Sequence, residues 1–176
     1  MHYVQLKGIK MEIKHSSPAD LPRLMEIYAI ARRFMAEHGN PDQWGRDNWP
    51  PESMIRKDIE DGNSYICLHD GKIVGTFYYN YGIKADPCYN KIYDGAWIGG
   101  DEYGVIHRIA TDGTVKGTGS FCVNWAFEKC GHLRIDTHKD NVVMQNMLKK
   151  NGFRHTGSIL LEARDDARRE AFERIC

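Results

Sequence analysis

A histidine and a glycine-rich turn lie close together in residues 105–120, and each suits a different part of a group-transfer reaction. His107 stands in an apolar run that predicts a strand, and an imidazole titrates near neutral pH, so it can act as a general base. The turn at residues 115–120, here called the glycine turn, contains Gly117 and Gly119 and precedes a helical pattern. The first N–H groups of a helix have no partner within the helix and favour an anion such as phosphate.

The glycine turn matches neither of two common phosphate-binding motifs. A P-loop requires a lysine after its last glycine, whereas Lys116 precedes Gly117. The dinucleotide-binding pattern requires a glycine at position 122, which is Cys122. The turn alone therefore leaves two interpretations open, an anion site or a tight turn whose glycines serve packing.

The elements around the turn predict an α+β domain. Two β-rich runs flank Asp70-Gly71, a strong hairpin signal, and Ser17, Pro18 and Asp20 form a helix start. Continued along the chain, the pattern gives the order β, α, α, β, β, β, α, β, α, β, followed by a tail. We therefore expect a mixed sheet with helices packed on it.

Composition limits the classes of function. The chain has 176 residues, of which 41% are hydrophobic, and this is ordinary for one globular domain. We expect that domain to span residues 11–176, with residues 1–10 as an N-terminal extension. Because 24 basic residues balance 24 acidic ones, nucleic acid is disfavoured as a partner.

Five scattered cysteines without a CxxC pair predict reduced thiols, and we expect a cytoplasmic protein. No apolar run is long enough to span a membrane, and the N-terminus lacks a signal-peptide core. His132, His138 and Cys130 have a spacing that suits no common metal site, so we expect no metal.

Four segments, taken together and in order, resemble the core of the GCN5-related N-acetyltransferase (GNAT) superfamily. They are the "HRIAT" strand, the "VKGTG" turn that opens a helix, the "LRIDT" strand, and Asn141 leading through a helix to "NGF". The resemblance covers residues 11–176. It implies a GNAT-like mixed central β-sheet of about six to seven strands flanked by about four helices. It also implies that "RREAFER" forms a last strand, although its composition is helical.

The resemblance further implies acetyl-CoA as the ligand of the glycine turn. The pyrophosphate would then lie on the backbone amides of Val115, Lys116, Gly117, Thr118, Gly119 and Ser120. The pantetheine arm would pair with Ile109, Ala110 and Thr111, and the side-chain amide of Asn141 would bind the same arm.

The resemblance also implies that an amine attacks the thioester directly in a ternary complex. The strand N–H near Ile109 or Ala110 would stabilise the developing oxyanion. By position, His107 resembles a catalytic histidine of the arylalkylamine branch; alternatively, it only hydrogen-bonds a neighbouring loop. The family often has a tyrosine that protonates the leaving thiolate, and here Leu148 stands in its place, which leaves the general acid open. Arg108 is expected on the opposite sheet face from His107.

The acceptor pocket is the least determined part of the prediction. Trp44, Trp97 and Glu102 lie on irregular segments and are predicted to contact the acceptor. Alternatively, the two tryptophans are buried anchors of their loops, and Glu102 is a solvated loop charge. We predict an acetyl-CoA-dependent N-acetyltransferase that acts on a primary amine of a small molecule. There are two rival hypotheses: a catalytically silent acyl-CoA-binding module and a non-enzymatic interaction domain. The sequence also leaves open whether the protein forms a homodimer.

Overall fold

The computed structural model describes residues 5–6, 9–45, 47–161 and 168–176. Within them, helices pack on a single mixed sheet. The strands are β1 (Gln5–Leu6), β2 (Ile9–His15), β3 (Ser64–His69), β4 (Lys72–Ile83), β5 (Glu102–Thr111), β6 (His132–Thr137), β7 (Arg154–Leu160) and β8 (Arg168–Ile175). The helices are α1 (Leu21–Glu37), α2 (Asp42–Gly45), α3 (Glu52–Glu60), α4 (Thr118–Cys130) and α5 (Val142–Lys150).

The strands are arranged in the order β1-β2-β3-β4-β5-β6-β8-β7. Neighbouring strands are antiparallel except β5 and β6, which are parallel. The predicted mixed α+β sheet is confirmed: β2 to β8 are its main strands, and the two-residue β1 pairs with β2. Strand β2 begins at Ile9, so the predicted boundary between residues 10 and 11 lies inside a strand.

Local signals place the first elements as expected. Asp70 and Gly71 have φ values of 48° and 77°, the left-handed geometry of a tight hairpin turn, and they join β3 to β4. In the 3₁₀ turn Pro18–Asp20 that leads into α1, the Asp20 carboxylate accepts a hydrogen bond of 2.7 Å from the Ser17 backbone N–H. Both features were predicted from the sequence.

The last strand is also confirmed. β8 lies between β6 and β7 and pairs with both, and Ala171, Phe172 and Glu173 are fully buried. Its helical composition is overruled because tertiary pairing on both edges outweighs the weak intrinsic propensity of a short segment. The remainder of the predicted tail, residues 162–167, lies outside the described residues.

The sheet has a hydrophobic core on each face. One core joins α4 and α5 to the sheet and includes Phe77, Ile106 and Phe121, with Trp125 partly buried against it. The other core joins α1 and α3 to the opposite face and includes Leu24 and Ile55. We call these the α4 face and the α1 face. Among the described residues, no helix is long and apolar enough to cross a membrane.

Strands β5 and β6 separate soon after they meet. Their recorded pairs are Gly104 with Leu133 and Val105 with Arg134. Beyond Val105, the edge of β5 that faces β6 has no partner strand within the described chain. This gap, here called the β5–β6 opening, leads directly to the glycine turn.

Candidate active site

His107 lies at the mouth of the β5–β6 opening. It is two residues beyond Val105, the last paired residue of β5, and its side chain is 20% exposed. On β4 its partner is Tyr78, and the two rings are 5.7 Å apart on the α1 face. His107 is therefore half-buried yet reachable from the opening.

A β-bulge interrupts β5 directly after His107. The register with β4 shifts between Thr76 and Tyr78, and Arg108 has a φ of 52°. The expectation that Arg108 points to the opposite face is wrong, because its guanidinium lies 4.8 Å from the Tyr78 ring centroid on the same α1 face as His107. The bulge breaks the strict alternation on which that expectation rested.

Arg108 is held by Asp58 of α3, with a separation of 2.8 Å between Nη2 and Oδ2. Burial raises the pKa of Asp58, and the charge and hydrogen bond of Arg108 offset part of that rise. This ion pair joins α3 to the bulge and supports the strand beside His107.

Asp86 fixes the orientation of the His107 ring. His107 Nε2 lies 2.6 Å from Asp86 Oδ2. Burial by itself raises the pKa of Asp86, but the hydrogen bond and charge of His107 and the hydrogen bonds from Cys88 outweigh it, so the pKa lies below its usual value. An ionised carboxylate can only accept. Nε2 therefore carries the proton, and the lone pair of neutral His107 is on Nδ1.

Nδ1 faces a second carboxylate. Asp136 Oδ1 of β6 is 3.7 Å from His107 Nδ1, beyond hydrogen-bonding distance. The same Oδ1 accepts a 2.6 Å hydrogen bond from the hydroxyl of Tyr89. Burial, followed by the charge of Asp136, raises the pKa of Tyr89 well above its usual value, which keeps the phenol protonated as a donor.

A single short turn supplies two of these partners. The 3₁₀ turn Pro87–Asn90 follows Asp86, whose side chain accepts 2.7 Å from the Cys88 N–H, and Tyr89 lies within the turn. Asp86, Tyr89 and Asp136 were not singled out in the sequence. The usable signals were Asp86-Pro87 in a long irregular loop and an acidic residue in the apolar "LRIDT" strand.

The glycine turn presents backbone donors. In the part of the chain that the structure describes, no residue accepts a hydrogen bond from the N–H groups of residues 115–120. Helix α4 begins at Thr118, and Gly117 at its N-cap has a φ of 86°, a left-handed conformation that favours glycine. Residues 115–120 thus lie together at the N-terminus of α4, and their amides have no acceptor among the described residues.

Gly119 is different, because the fold does not require a glycine there. It lies within α4 without a positive φ, and an added Cβ would meet only Met147 Cε, at 3.8 Å. Glycine in a helix costs roughly 0.5–1 kcal/mol relative to alanine. The packing interpretation of Gly119 therefore has no support from its neighbours.

Asp112 braces the approach to the glycine turn. Its Oδ1 accepts from the N–H and hydroxyl of Thr114 at 3.0 and 2.6 Å, and its Oδ2 lies 2.6 Å from Arg23 Nη2 of α1. Within the turn, the hydroxyl of Thr118 donates 2.8 Å to the carbonyl of Val115. These bonds fix the turn without using its free amides.

Asn141 caps α5 rather than standing free. Its Oδ1 accepts from the N–H of Met144 at 3.1 Å, and its Nδ2 donates 2.9 Å to Gln43 of α2. Ile109, Ala110 and Thr111 lie on the stretch of β5 that borders the opening. Leu148 is fully buried in the core on the α4 face, so its side chain supplies no proton donor.

The three predicted acceptor residues do not converge on His107. Trp44 is buried in the short helix α2, with its ring 5.8 Å from the Tyr28 ring, and Glu102 is at the far end of β5, five residues from His107. Trp97 comes nearest, since its indole Nε1 donates 2.9 Å to the carbonyl of Tyr89.

An open pocket of about 310 Å³ lies on the α4 face, lined in part by Tyr65, Tyr79 and Trp125. It is on the opposite side of the sheet from His107 and is separate from the cluster described above. No group of three or more histidine, cysteine or acidic side chains suited to a metal ion occurs among the described residues.

The comparisons with known proteins identify the family and the fold. A model of the acetyltransferase (GNAT) family matches residues 22–153. Among solved structures, the chain is similar to a GNAT-family acetyltransferase from Streptococcus agalactiae, with 28% identity over 98% of each chain and a TM-score of 0.85.

Two more distant structures share the fold. A GNAT-family acetyltransferase from Listeria monocytogenes has 15% identity over 98% of this chain and 99% of its own, with a TM-score of 0.69. A ribosomal-protein-alanine N-acetyltransferase from Brucella melitensis has 14% identity over 94% of this chain and 99% of its own, with a TM-score of 0.62. A search among curated proteins found no match. Because the family model covers more than half of the sequence and the fold agrees, the chain belongs to the GNAT acetyltransferase family.

Proposed function

We propose that the protein is an acetyl-CoA-dependent N-acetyltransferase that acetylates a primary amine of a small molecule by direct attack in a ternary complex. One observation carries the proposal: the β5–β6 opening has His107 at its mouth and leads into a turn of unpartnered amides. A thioester held along β5 and anchored at the glycine turn would bring its acetyl group towards His107.

The residues present fit acetyl-CoA. The free amides of Val115, Lys116, Gly117, Thr118, Gly119 and Ser120 and the dipole of α4 favour a pyrophosphate. Gly119 leaves the space in which a Cβ would stand, as a close backbone–phosphate contact requires. The unpaired edge of β5 at Ile109, Ala110 and Thr111 can form hydrogen bonds with the pantetheine arm. Asn141 can also donate to the arm if its side-chain amide releases Gln43.

His107 is proposed as the general base. Because Asp86 holds the proton on Nε2, the Nδ1 lone pair is available to take a proton from the amine. Acetyl-CoA supplies the acetyl thioester: the amine nitrogen bonds to the carbonyl carbon while the carbon–sulfur bond breaks, and the thiolate leaves with the electron pair and is protonated by solvent. Ile109, directly after the bulge, is the proposed backbone donor to the carbonyl oxygen.

The absence of a side-chain acid at Leu148 is compatible with turnover. A thiol with a pKa near 8.5 is a tolerable leaving group without general-acid assistance. If the missing acid had made the protein silent, it would bind acetyl-CoA and release no free thiol with any primary amine. Thiol release that depends on an added amine therefore separates the enzyme from the silent module.

The proposed acceptor is a compact amine, since the side chains of His107, Asp86 and Asp136 are only 20%, 17% and 10% exposed.

All five cysteines are free thiols, which supports the proposed cytoplasmic location.

Thermal unfolding with acetyl-CoA tests the cofactor assignment, with ATP and NAD as controls. Ligand at a hundred times its dissociation constant stabilises by about 2.7 kcal/mol, which for a chain of this size raises the melting temperature by roughly 5–10 °C. A rise with acetyl-CoA alone supports the proposal. No shift at millimolar acetyl-CoA would overturn it and favour the non-enzymatic interaction domain.

Gly119→Ala makes the same test specific to the glycine turn. Without ligand, the variant should be more stable by roughly 0.5–1 kcal/mol, because alanine favours the helix. With acetyl-CoA, it should lose most of the thermal shift, because the Cβ occupies the approach to the amides. Gly45→Ala, at an open glycine of α2, is the matched control and should keep the full shift. An unchanged shift in Gly119→Ala would remove the pyrophosphate from this turn.

A further inference from the structure

The carboxylates of this fold differ in how their charge is balanced. Three buried acids each have an arginine within 2.9 Å: Asp58 with Arg108, Asp112 with Arg23, and Glu173 with Arg134. Asp86 and Asp136, with side chains only 17% and 10% exposed, share the single imidazole of His107. In the described ranges, His107 is the only cation-forming side chain within 4 Å of either carboxylate.

Asp136 is the less satisfied of the two. Its Oδ1 accepts from the Tyr89 hydroxyl at 2.6 Å, whereas His107 Nδ1 at 3.7 Å is too distant for a hydrogen bond. No described residue donates to its Oδ2. Removing a charge from water is costly unless another charge or several donors compensate it. An ionised carboxylate at this position would therefore gain from a cationic partner.

The position of Asp136 shows where that cation enters. Asp136 is two residues beyond Arg134, the last paired residue of β6, just as His107 is two residues beyond Val105 on β5. Both side chains lie on the α1 face and face each other across the start of the β5–β6 opening. Two acceptors 3.7 Å apart are close enough for one ammonium nitrogen to donate a hydrogen bond to both.

We infer that Asp136 binds the acceptor as a protonated primary ammonium and presents it to Nδ1 of His107, so that this carboxylate selects cationic amines over neutral nucleophiles. This inference rests on the proposed function. One proton moves from the ammonium nitrogen to Nδ1 and leaves a neutral amine whose lone pair can attack. The imidazolium then lies between the carboxylates of Asp86 and Asp136, which stabilise it.

The test uses methylammonium, the smallest primary ammonium ion, and does not depend on acetyl-CoA. Titration of the whole protein with methylammonium chloride is followed through the imidazole ¹⁵N and ¹³C resonances of His107, with potassium chloride and methanol as controls. Asp136→Asn removes the charge and keeps an oxygen for the Tyr89 hydroxyl. Asp140→Asn makes the same change of net charge on an acid whose side chain is 49% exposed and lies outside the cluster.

Methylammonium should shift the His107 resonances saturably in the wild type and in Asp140→Asn. Asp136→Asn should weaken that binding about 10- to 100-fold, since a hydrogen bond to a charged partner is lost. No saturable shift in the wild type up to 200 mM, or equal shifts in the wild type and Asp136→Asn, would overturn the inference. Either result can coexist with a normal acetyl-CoA melting shift, so a failure here is distinguishable from a failure of the proposed function.

Kinetics give a second readout with an amine that supports turnover. Asp136→Asn should raise the KM for the amine about 10- to 100-fold while the KM for acetyl-CoA stays within twofold. Should Asp136→Asn not fold, Tyr89→Phe removes the hydroxyl that orients the Asp136 carboxylate, and the misplaced carboxylate should raise the amine KM several-fold. An unchanged amine KM in either variant would contradict the assignment.

Discussion

Two histidines on the same side of the sheet show how a structural cluster differs from a reactive one. His132 has both ring nitrogens occupied: Nε2 lies 2.6 Å from Glu173 Oε1, and Nδ1 lies 2.9 Å from the carbonyl of Glu102. His107 has a 2.6 Å contact from Nε2 to Asp86, but its Nδ1 has no hydrogen-bond partner among the described residues. Both nitrogens of the His132 ring thus have partners in the fold, and we call its cluster closed. The His107 ring keeps one nitrogen without a partner, and we call it open.

The carboxylates of the two clusters repeat this difference. Glu173 is fully buried and accepts from His132, from Arg134 and from the backbone N–H groups of Ile98 and Gly99. Asp136 has one donor, the hydroxyl of Tyr89. Fully satisfied networks make a fold rigid, whereas unused polar atoms remain available to a ligand. The residue types in a cluster therefore say less about its role than the number of its polar atoms that lack a hydrogen-bond partner.

The largest expected difference is in stability. Glu173→Gln leaves Arg134 buried without its counter-charge and should lower the free energy of unfolding by about 3–5 kcal/mol. Asp136→Asn removes a charge that lacks such a partner and should change it by less than about 1 kcal/mol. Urea unfolding followed by circular dichroism measures both. Equal losses in the two variants would mean that the His107 cluster is as structural as the other.

Asp86→Asn should reduce catalysis more than stability. Its amide can donate to Nε2 of His107, which shifts the imidazole proton to Nδ1 and removes the lone pair that faces the opening. We expect kcat to fall about 10- to 100-fold, which is less than the 10²- to 10⁴-fold expected for loss of a general base, because the imidazole is still present. Steady-state rates and acetyl-CoA melting shifts measure this, and the shift should stay at the wild-type value. A normal kcat would show that the orientation of the His107 ring is immaterial.

Acid should weaken both clusters, and this is the smallest of the three effects. The pKa of Glu173 is raised by burial but lowered further by the N–H of Ile98, His132 and Arg134, so that it lies below its usual value, as does that of Asp86. The folded state then binds these protons more weakly than the unfolded state. The stabilisation is present above the usual carboxyl pKa and is lost as pH falls through the folded pKa, below about pH 4.

Unfolding at pH 3 to 6 checks this sign. Glu173→Gln should lose less stability between pH 5 and pH 3 than the wild type, because one of the carboxylates with a lowered pKa is gone. A steeper acid dependence in Glu173→Gln would contradict the direction of the shift.

The sequence predicted features that depend on local interactions and missed those that depend on contacts between residues far apart in the chain. The hairpin at Asp70-Gly71 and the start of α4 at the glycine turn depend on backbone preferences within a few residues. Asp86 and Asp136 meet His107 only because a loop folds back over β5 and because β6 lies beside it. No spacing along the chain encodes that meeting.

Two further misses have local causes. Arg108 shares the α1 face with His107 because a bulge interrupts the alternation of β5, and no glycine or proline marks that bulge in the sequence. Trp44 lies in a segment rich in polar residues, glycine and proline, yet it is a buried anchor, since α2 packs its ring against α1. Side-chain burial in irregular segments depends on tertiary packing, which periodicity does not report.

The most direct test of the account compares His107→Gln with His132→Gln for amine-dependent thiol release from acetyl-CoA, with melting temperatures measured in parallel. We expect His107→Gln to lower kcat about 10²- to 10⁴-fold with little change in melting temperature and an unchanged acetyl-CoA shift. His132→Gln should lower the melting temperature by several degrees and keep kcat within a few-fold, because it disturbs only the closed cluster. Loss of turnover in His132→Gln together with full activity in His107→Gln would contradict the assignment of the open histidine as the base.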